Sequence, residues 1–326
     1  MTLPSLTAAL IVRDAAVDLP RCLSSVREHV DEIVVVDTGS QDNSLEVARS
    51  FGASVGEFPW KDDFAAARNA ALALVKTEWL LSIDADEELK LDGSDALARA
   101  FGASDDPYAI WVRSEDVGQG TPTKIARIFR FVAGARWELP IHEIFVQPGH
   151  EEAAPIDASS AICLLHHGYG ADRAPAKMER NLRILSAHLE ADPDNPTTLF
   201  YFARECAYSG KHEDGLRAAE RLLDEFELGD ERLADTLALA SWHALALHRP
   251  ELVLEHTKEA RRLSVPTVWS EYFRGVALVS LNQFPRALEA AERACAMPYP
   301  ENTLIALPEV WHRKRFDLRT LILGRR

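Results

Sequence analysis

The sequence predicts an α/β domain, a mostly parallel sheet flanked by helices, followed by an all-α domain of helical repeats. Three observations predict this. Apolar runs of strand length alternate with helix-period segments from Leu6 to Ile83. The runs stop at charged residues, as strands do at the carboxyl edge of an open sheet. From Ala176 onward Ala, Leu, Glu and Arg recur with helical period and strand-like runs cease. The boundary is therefore expected between residues 175 and 176, giving domains 1–175 and 176–326.

The elements follow in order. Leu6–Val12 is a buried strand. Leu19, Cys22, Leu23, Val26 and Val30 have helical spacing, with Pro20 in a tolerated first-turn position. Glu32–Val36 is a second strand, closed by Asp37-Thr38-Gly39-Ser40. Ser44 to Phe51 is a helix ended by Gly52. Ala53–Phe58 is a third strand. Asp62 or Asp63 caps an Ala-rich helix running to Val75, and Trp79–Ile83 is the fourth strand. This alternation argues for parallel strands with helices on both faces. Beyond it, Ser94 caps a short helix to Phe101, and Tyr108–Arg113 and Ile125–Phe131 read as strands. Ile162 to Tyr169 is a strand ending in paired histidines.

The net charge of −15 and pI of about 5.2 leave no basic footprint for nucleic acid. The four cysteines form no CxxC pair and read as scattered core residues of a reducing compartment. The Leu6–Val12 run has no basic segment before it and ends after seven residues. No run of about 18 apolar residues follows, so a signal peptide and a membrane span are not expected. The cytoplasm is the expected location.

The chemistry is expected at the carboxyl edge. There lie Arg13, Asp37 and the pair Asp84 and Asp86. In a strand, residues i and i+2 share a face, so both carboxylates of the pair would face one ligand. Such a pair can hold a hard divalent cation, which can hold a diphosphate. An acidic turn after a core strand is the plainer alternative. The loop Arg13-Asp14-Ala15-Ala16 is neither GxGxxG nor a Walker loop, so those two glycine cradles are excluded.

Three stretches then coincide: Val34-Val35-Val36-Asp37-Thr38-Gly39-Ser40-Gln41-Asp42, Asp63-Phe64-Ala65-Ala66-Ala67-Arg68-Asn69-Ala70-Ala71-Leu72, and Asp84-Ala85-Asp86-Glu87. In order and spacing they resemble a family 2 glycosyltransferase domain with the GT-A nucleotide-sugar-binding fold. The resemblance implies that Asp37 contacts the nucleotide base, Arg68 the base and diphosphate, Asp84 the ribose, and Asp86 a divalent metal, Mn²⁺ or Mg²⁺. It implies a UDP-sugar donor. The residues alone leave Asp37 a turn former and Arg68 a surface arginine as alternatives. One departure stands out: Asp14-Ala15 replaces the family's Asn-Glu.

Arg127 and Arg130 are either solvated edge charges or diphosphate and acceptor contacts. Trp137 is either a sugar platform or core. Pro140-Ile141-His142-Glu143-Ile144 resembles the His-Glu element of a subset of the family, which implies Glu143 as general base with His142 beside it. A salt-bridged loop pair is the alternative. Ile162 to Tyr169 resembles the subset's His-Tyr-Gly-Tyr. That implies His166 as metal ligand, with His167 departing from the pattern, and a satisfied core histidine as the alternative.

In the tail, Asp192-Pro193-Asp194-Asn195-Pro196 is the clearest break. Gly275, Asn282, Ala287 and Ala294 fit a roughly 34-residue helix-turn-helix unit. Shifting back by that period gives Ser241, His248, Val253 and Ala260, and an earlier copy centres on Gly210. These resemble about three degenerate tetratricopeptide repeats, with Trp311 to Arg326 as a cap. The whole order resembles a bacterial group of glycosyltransferases with such tails. It implies an inverting transfer to a polypeptide or cell-surface glycan, with the repeats presenting the acceptor or forming a homo-oligomer. Two rivals are a non-catalytic repeat scaffold carrying a decayed nucleotide-sugar domain, fed by Asp14-Ala15, and a nucleotidyltransferase, disfavoured by the missing glycines.

Overall fold

In the computed structural model, residues 3–104, 107–117, 122–150, 155–168, 174–298, 303–305, 307 and 309–324 are described. Tyr169 lies outside them. The chain divides into two compact units, Met1–Arg173 and Ala174–Arg326.

The first unit opens with β1 (Leu6–Val12), α1 (Leu19–Val26), β2 (Glu32–Asp37), α2 (Ser44–Ser50), β3 (Ser54–Glu57), α3 (Phe64–Leu72) and β4 (Trp79–Ser82). These match the expected series, with helices shorter at their carboxyl ends. β5 (Glu87–Leu91) follows, then α4 (Ala96–Phe101), β6 (Ala109–Asp116), β7 (Thr123–Arg130), β8 (Arg136–Glu138), β9 (Ile144–Val146), β10 (Ile156–Asp157) and β11 (Ile162–His166). The sheet runs β3-β2-β1-β4-β7-β6-β11-β5, with β10 on β6. β7 and β5 run against the remaining strands, so the sheet is mostly parallel. Ser94 caps nothing: Asp95 precedes α4, without a side-chain cap.

Alternation along β1 fixes the two faces. Leu6, Ala8, Leu10 and Val12 pack under α1, α2 and α4. Ala9 joins Val34, Val36 and Leu80 on the other face, beneath α3 and the β8–β9 hairpin. α3 can lie close to the sheet because its buried positions Ala65, Ala67 and Ala71 are small. Asp63, not Asp62, is its cap and accepts from the Ala66 amide at 2.8 Å. Trp137 is core: it is 8% exposed and packs on Phe129 and Phe145.

The second unit is all helix. α5 (Ala174–Ala191) precedes the pairs α6/α7 (Pro196–Tyr208, His212–Glu225), α8/α9 (Asp230–Ala246, Pro250–Arg262) and α10/α11 (Val268–Ser280, Phe284–Ala296). A π-helical turn at Val310–Lys314 and α12 (Arg315–Leu323) follow. The turn inside each pair carries a left-handed residue: Gly210 (φ 72°), His248 (57°) and Asn282 (56°). These are the turn positions that the repeat phase marks. The small positions Ser241, Val253, Ala260, Ala287 and Ala294 are each fully buried. A side chain on Gly275 would meet the α11 backbone at 3.7 Å, so the crossing there is backbone-close. No helix among the described residues is long and apolar enough to cross a membrane. Cys22, Cys163 and Cys206 are buried, Cys295 is half-buried, and all four are free thiols.

Candidate functional site

Asp84-Ala85-Asp86 does not continue β4. It forms the tight turn between β4 and β5, and the Glu87 amide closes it on the Asp84 carbonyl at 2.9 Å. The two carboxylates therefore do not share a strand face, and each meets a different set of partners.

Asp84 enters an arginine cluster. Arg68 rises from α3 over the Trp137 ring, 5.4 Å from its centroid. It donates from Nη2 to Asp84 Oδ1 at 2.8 Å, from Nη1 to Ser82 Oγ at 3.0 Å, and from Nε to Glu143 Oε1 at 2.9 Å. The Arg68 side chain is only 12% exposed, so it is no surface arginine. Arg127 donates from Nη2 to Asp84 Oδ2 at 3.3 Å and to Glu87 Oε1 at 2.9 Å. A continuous chain results: Glu143, Arg68, Asp84, Arg127, Glu87. Burial would raise the Asp84 carboxyl, but Arg68 and then Arg127 hold it well below the usual carboxylate range. Burial pushes Glu87 up, against the charge of Arg127.

Asp86 meets His166. β11 pairs antiparallel with β5 so that His166 faces Glu87, and the His167 amide donates to the Asp86 carbonyl at 2.8 Å. This register sets His166 Nε2 3.3 Å from Asp86 Oδ2, and Nδ1 3.4 Å from Asp116 Oδ1. Burial lowers the imidazole pKa, but the Asp86 hydrogen bond and charge outweigh it and leave the pKa above its ordinary value. His167 turns to Glu88, with Nε2 3.1 Å from Oε2. Gly168 lies against the Asp86 carboxylate, so close that a Cβ there would collide with it.

The hairpin that carries Glu143 is fixed by α3. Asn69, next to Arg68, donates from Nδ2 to the Trp137 carbonyl at 2.9 Å and accepts from the Trp137 amide at 2.8 Å. The Phe64 amide donates to the Pro140 carbonyl at 2.8 Å. Leu139 (φ 72°) and His142 (φ 57°) are both left-handed, a strained backbone that aims Glu143 at Arg68. His142 is half-buried beside it.

Asp37 is 5% exposed and builds its own turn. Its carboxylate accepts from the Gly39 amide at 3.1 Å, from the Ser40 amide at 3.1 and 3.2 Å, and from the Ser40 hydroxyl. Arg13 is exposed and pairs loosely with Asp14 at 3.9 Å. The departing Asp14-Ala15 loop is stitched to the one after β2. Asp14 Oδ1 accepts from the Gln41 amide at 2.7 Å, and the Ala15 amide donates to Ser44 Oγ at 2.8 Å.

The structure thus joins Arg68, Asp84 and Glu143 directly, and Asp86 with His166 separately. Glu87, Ser82 and Gly168 are residues of this cluster beyond those the sequence singled out with a role, and Arg127, read as an edge charge or a diphosphate or acceptor contact, bonds Asp84 and Glu87 within it. A carboxylate and an imidazole suit a hard divalent ion whose other oxygens come from a diphosphate. Among the described residues no group of three or more His, Cys, Asp or Glu side chains is gathered to hold a metal.

Residues 8–147 match the family model described as Glycosyl transferase family 2. The chain is 35% identical over 227 residues to a TPR repeat-containing protein of Synechococcus elongatus, covering 66% of this chain and 55% of that protein. It is 24% identical over 253 residues to the SPbeta prophage-derived glycosyltransferase SunS of Bacillus subtilis, covering 72% and 58%. The chain spans somewhat over half the length of these curated relatives. Among solved structures, TarS of S. aureus aligns with 15% identity and a TM-score of 0.46, over 77% of this chain and 54% of that one.

Proposed function

We propose, from the match of residues 8–147 to the family model described as Glycosyl transferase family 2, that the chain moves a sugar, with inversion, from a nucleoside-diphosphate sugar to a polypeptide or glycan acceptor. One observation carries the reading: a single guanidinium, Arg68, ties Asp84 to Glu143 and so draws three separate sequence motifs to one point.

In this reading Arg13, Asp37, Arg68 and Asp84 hold the nucleoside end of the donor, UDP being the first nucleotide to test. Asp86 and His166 would hold a divalent ion. The ion, when bound, neutralises charge on the leaving group. Arg127 stands beside Asp84, where it adds positive charge near the diphosphate. Glu143 keeps Oε1 on Arg68 and presents Oε2 to the acceptor. As the acceptor atom bonds to the anomeric carbon, its proton passes to Glu143 and the bond to the diphosphate oxygen breaks. His142, next in the hairpin, contacts the acceptor.

The test is thermal stabilisation by UDP, GDP, dTDP and CMP, each with and without Mn²⁺, on wild type and Asp86→Ala. A nucleotide at about 100 times its dissociation constant stabilises by about 2.7 kcal/mol. Metal-dependent stabilisation by one nucleotide, lost in the variant, is the expected result. No shift with any nucleotide removes this reading and leaves a repeat scaffold carrying a decayed nucleotide-sugar domain.

A further inference from the structure

His166 stands between two carboxylates, and the donor-site reading uses only one of them. The backbone explains the placement. β11 lies between β5 and β6, so His166 is pinned on both sides. It faces Glu87 across the antiparallel pair and Asp116 across the parallel one. The Val117 amide donates to the His166 carbonyl at 3.0 Å and holds the second register to the end of β6. The imidazole, its side chain 15% exposed, then has Nε2 3.3 Å from Asp86 Oδ2 and Nδ1 3.4 Å from Asp116 Oδ1. Asp116 is the last residue of β6 and belongs to none of the three stretches that carry the family resemblance.

We propose that Asp116 is a positioning residue: by accepting from Nδ1–H it holds His166 in the tautomer whose Nε2 lone pair faces Asp86 and a divalent ion. This deepens the proposed function and rests on its donor-site reading. A neutral imidazole carries one proton on two nitrogens. With the proton on Nε2, an N–H would stand where the ion's positive charge belongs, and a lone pair would face the Asp116 carboxylate. With the proton on Nδ1, Asp116 meets a donor, and Nε2 is open to the ion beside Asp86. A histidine that holds a metal regularly gives its other N–H to a carboxylate, which orients the ring and makes the ligating nitrogen more basic.

A plain ion pair explains the arrangement less well. The Asp116 side chain is 37% exposed, and a pair so open to water adds little stability. Nor is Asp116 a third ligand. The two ring nitrogens point away from each other, so the ring separates Asp116 from Asp86. Accordingly, among the described residues no three such side chains are gathered to hold a metal. What remains for Asp116 is to act through His166.

The probe is Mn²⁺ added to the full chain at fixed UDP. The readout is the Mn²⁺ concentration that gives half of the thermal stabilisation. Asp116→Ala is expected to raise that concentration about 10–100-fold, with the urea midpoint in place. His166→Ala raises it as well. Adding Asp116→Ala to His166→Ala changes it by less than about threefold, because a residue that acts through another then has nothing to act on. A second reading needs no variant. In wild type labelled with ¹⁵N-histidine and loaded with UDP and Mg²⁺, His166 carries its proton on Nδ1. The assignment of Asp116 is overturned if Asp116→Ala needs no more Mn²⁺ than wild type, if its effect persists in full without His166, or if the proton is on Nε2. Absence of any Mn²⁺-dependent shift in wild type removes the donor-site reading instead, and the inference goes with it.

Discussion

In the first unit two guanidinium groups, Arg68 and Arg127, answer three carboxylates, Glu143, Asp84 and Glu87, with Asp84 shared between them. In the second unit the most buried imidazole, His243 at 0% exposure, stays neutral. It donates from Nε2 to the Ala203 carbonyl at 3.0 Å and takes its other contact from His212, Nδ1 to Nδ1 at 3.2 Å. The carbonyl accepts, so Nε2 of His243 carries the proton and its Nδ1 accepts from His212. One unit keeps charge at a sheet edge where a charged ligand could enter. The other sets a neutral imidazole against the small residues Gly215 and Cys206 where α6, α7 and α8 meet, and pairs buried charge between helices, as Glu271 with Arg261. The difference teaches where each unit is vulnerable.

The largest expected effect breaks the charge chain. Arg68→Met leaves Asp84 and Glu143 without their shared partner. Losing one member of a buried ion pair costs about 3–5 kcal/mol, and Asp84, a third exposed, moves the expectation to about 3. Denaturant unfolding of the variant should show that loss together with loss of nucleotide stabilisation. A variant as stable as wild type would mean that the chain of ion pairs is not what holds the turn after β4.

Acid should separate the units. Burial lowers the His243 pKa to about 4. The unfolded chain then binds a proton that the folded one refuses, so stability is steady above about pH 7 and falls as pH drops through 6.5 toward 4. The whole shift amounts to about 3 kcal/mol, of which about 2 is lost by pH 5. The first unit behaves otherwise over the same range. Asp84, held low, keeps its contribution until far more acid pH, and His166 and Glu87, held high, favour the folded state as pH falls. Hydrogen exchange corrected for intrinsic rates should show α8 losing protection between pH 7 and 5 while β2 keeps it. In His243→Gln the α8 loss should shrink.

A smaller effect is expected from Gly215→Ala in α7. Alanine is the better helix former, by about 1 kcal/mol. At Gly215, however, a Cβ would run into the His243 ring and come within 2.8 Å of Cys206 Cβ. Overpacking of this kind costs about 1–3 kcal/mol, which set against the helix gain leaves the variant less stable by about 1 kcal/mol, read as a lower urea midpoint. A rise in stability would mean that the helices separate freely there.

What the sequence made legible follows the same division. Strands β1, β2 and β4 were readable because continuous apolar runs state both their length and their burial. The repeat turns were readable through Gly210, His248 and Asn282 at a near-constant spacing. β5 was not. Its first residue is Glu87, and a glutamate 1% exposed inverts the rule by which a strand face is recognised. Arg127 reads as an edge charge in Ile125–Phe131, yet β7 is paired on both sides, by β4 and β6, and its arginine is neutralised by groups far away in sequence. The β8–β9 hairpin turns through Leu139 and His142 at positive φ, without the glycine or asparagine that announces such a turn. Pairing partners and strain come from the tertiary structure, and a local pattern carries neither.

Gly168→Ala is the counterpart of Gly215→Ala and the sharpest use of the comparison, because the chemical change is the same in both units. Gly168 does not have a left-handed backbone, so alanine is not strained by its φ. The added Cβ would collide with the Asp86 carboxylate and stand 3.1 Å from His166 Cε1. Asp86 is 32% exposed at its side chain and can swing away into water, unlike the His243 ring. Stability should therefore change by less than about 0.5 kcal/mol, as for most surface substitutions. Moving a binding group by about 1 Å, however, can cost about 100-fold in rate. Metal-dependent nucleotide stabilisation should fall sharply while the urea midpoint stays in place. If both fall together, Gly168 is a packing glycine like Gly215, and the Asp86–His166 pair loses its claim to be built for a ligand. If neither falls, the carboxylate binds from another rotamer, and the turn after β4 does not set its position.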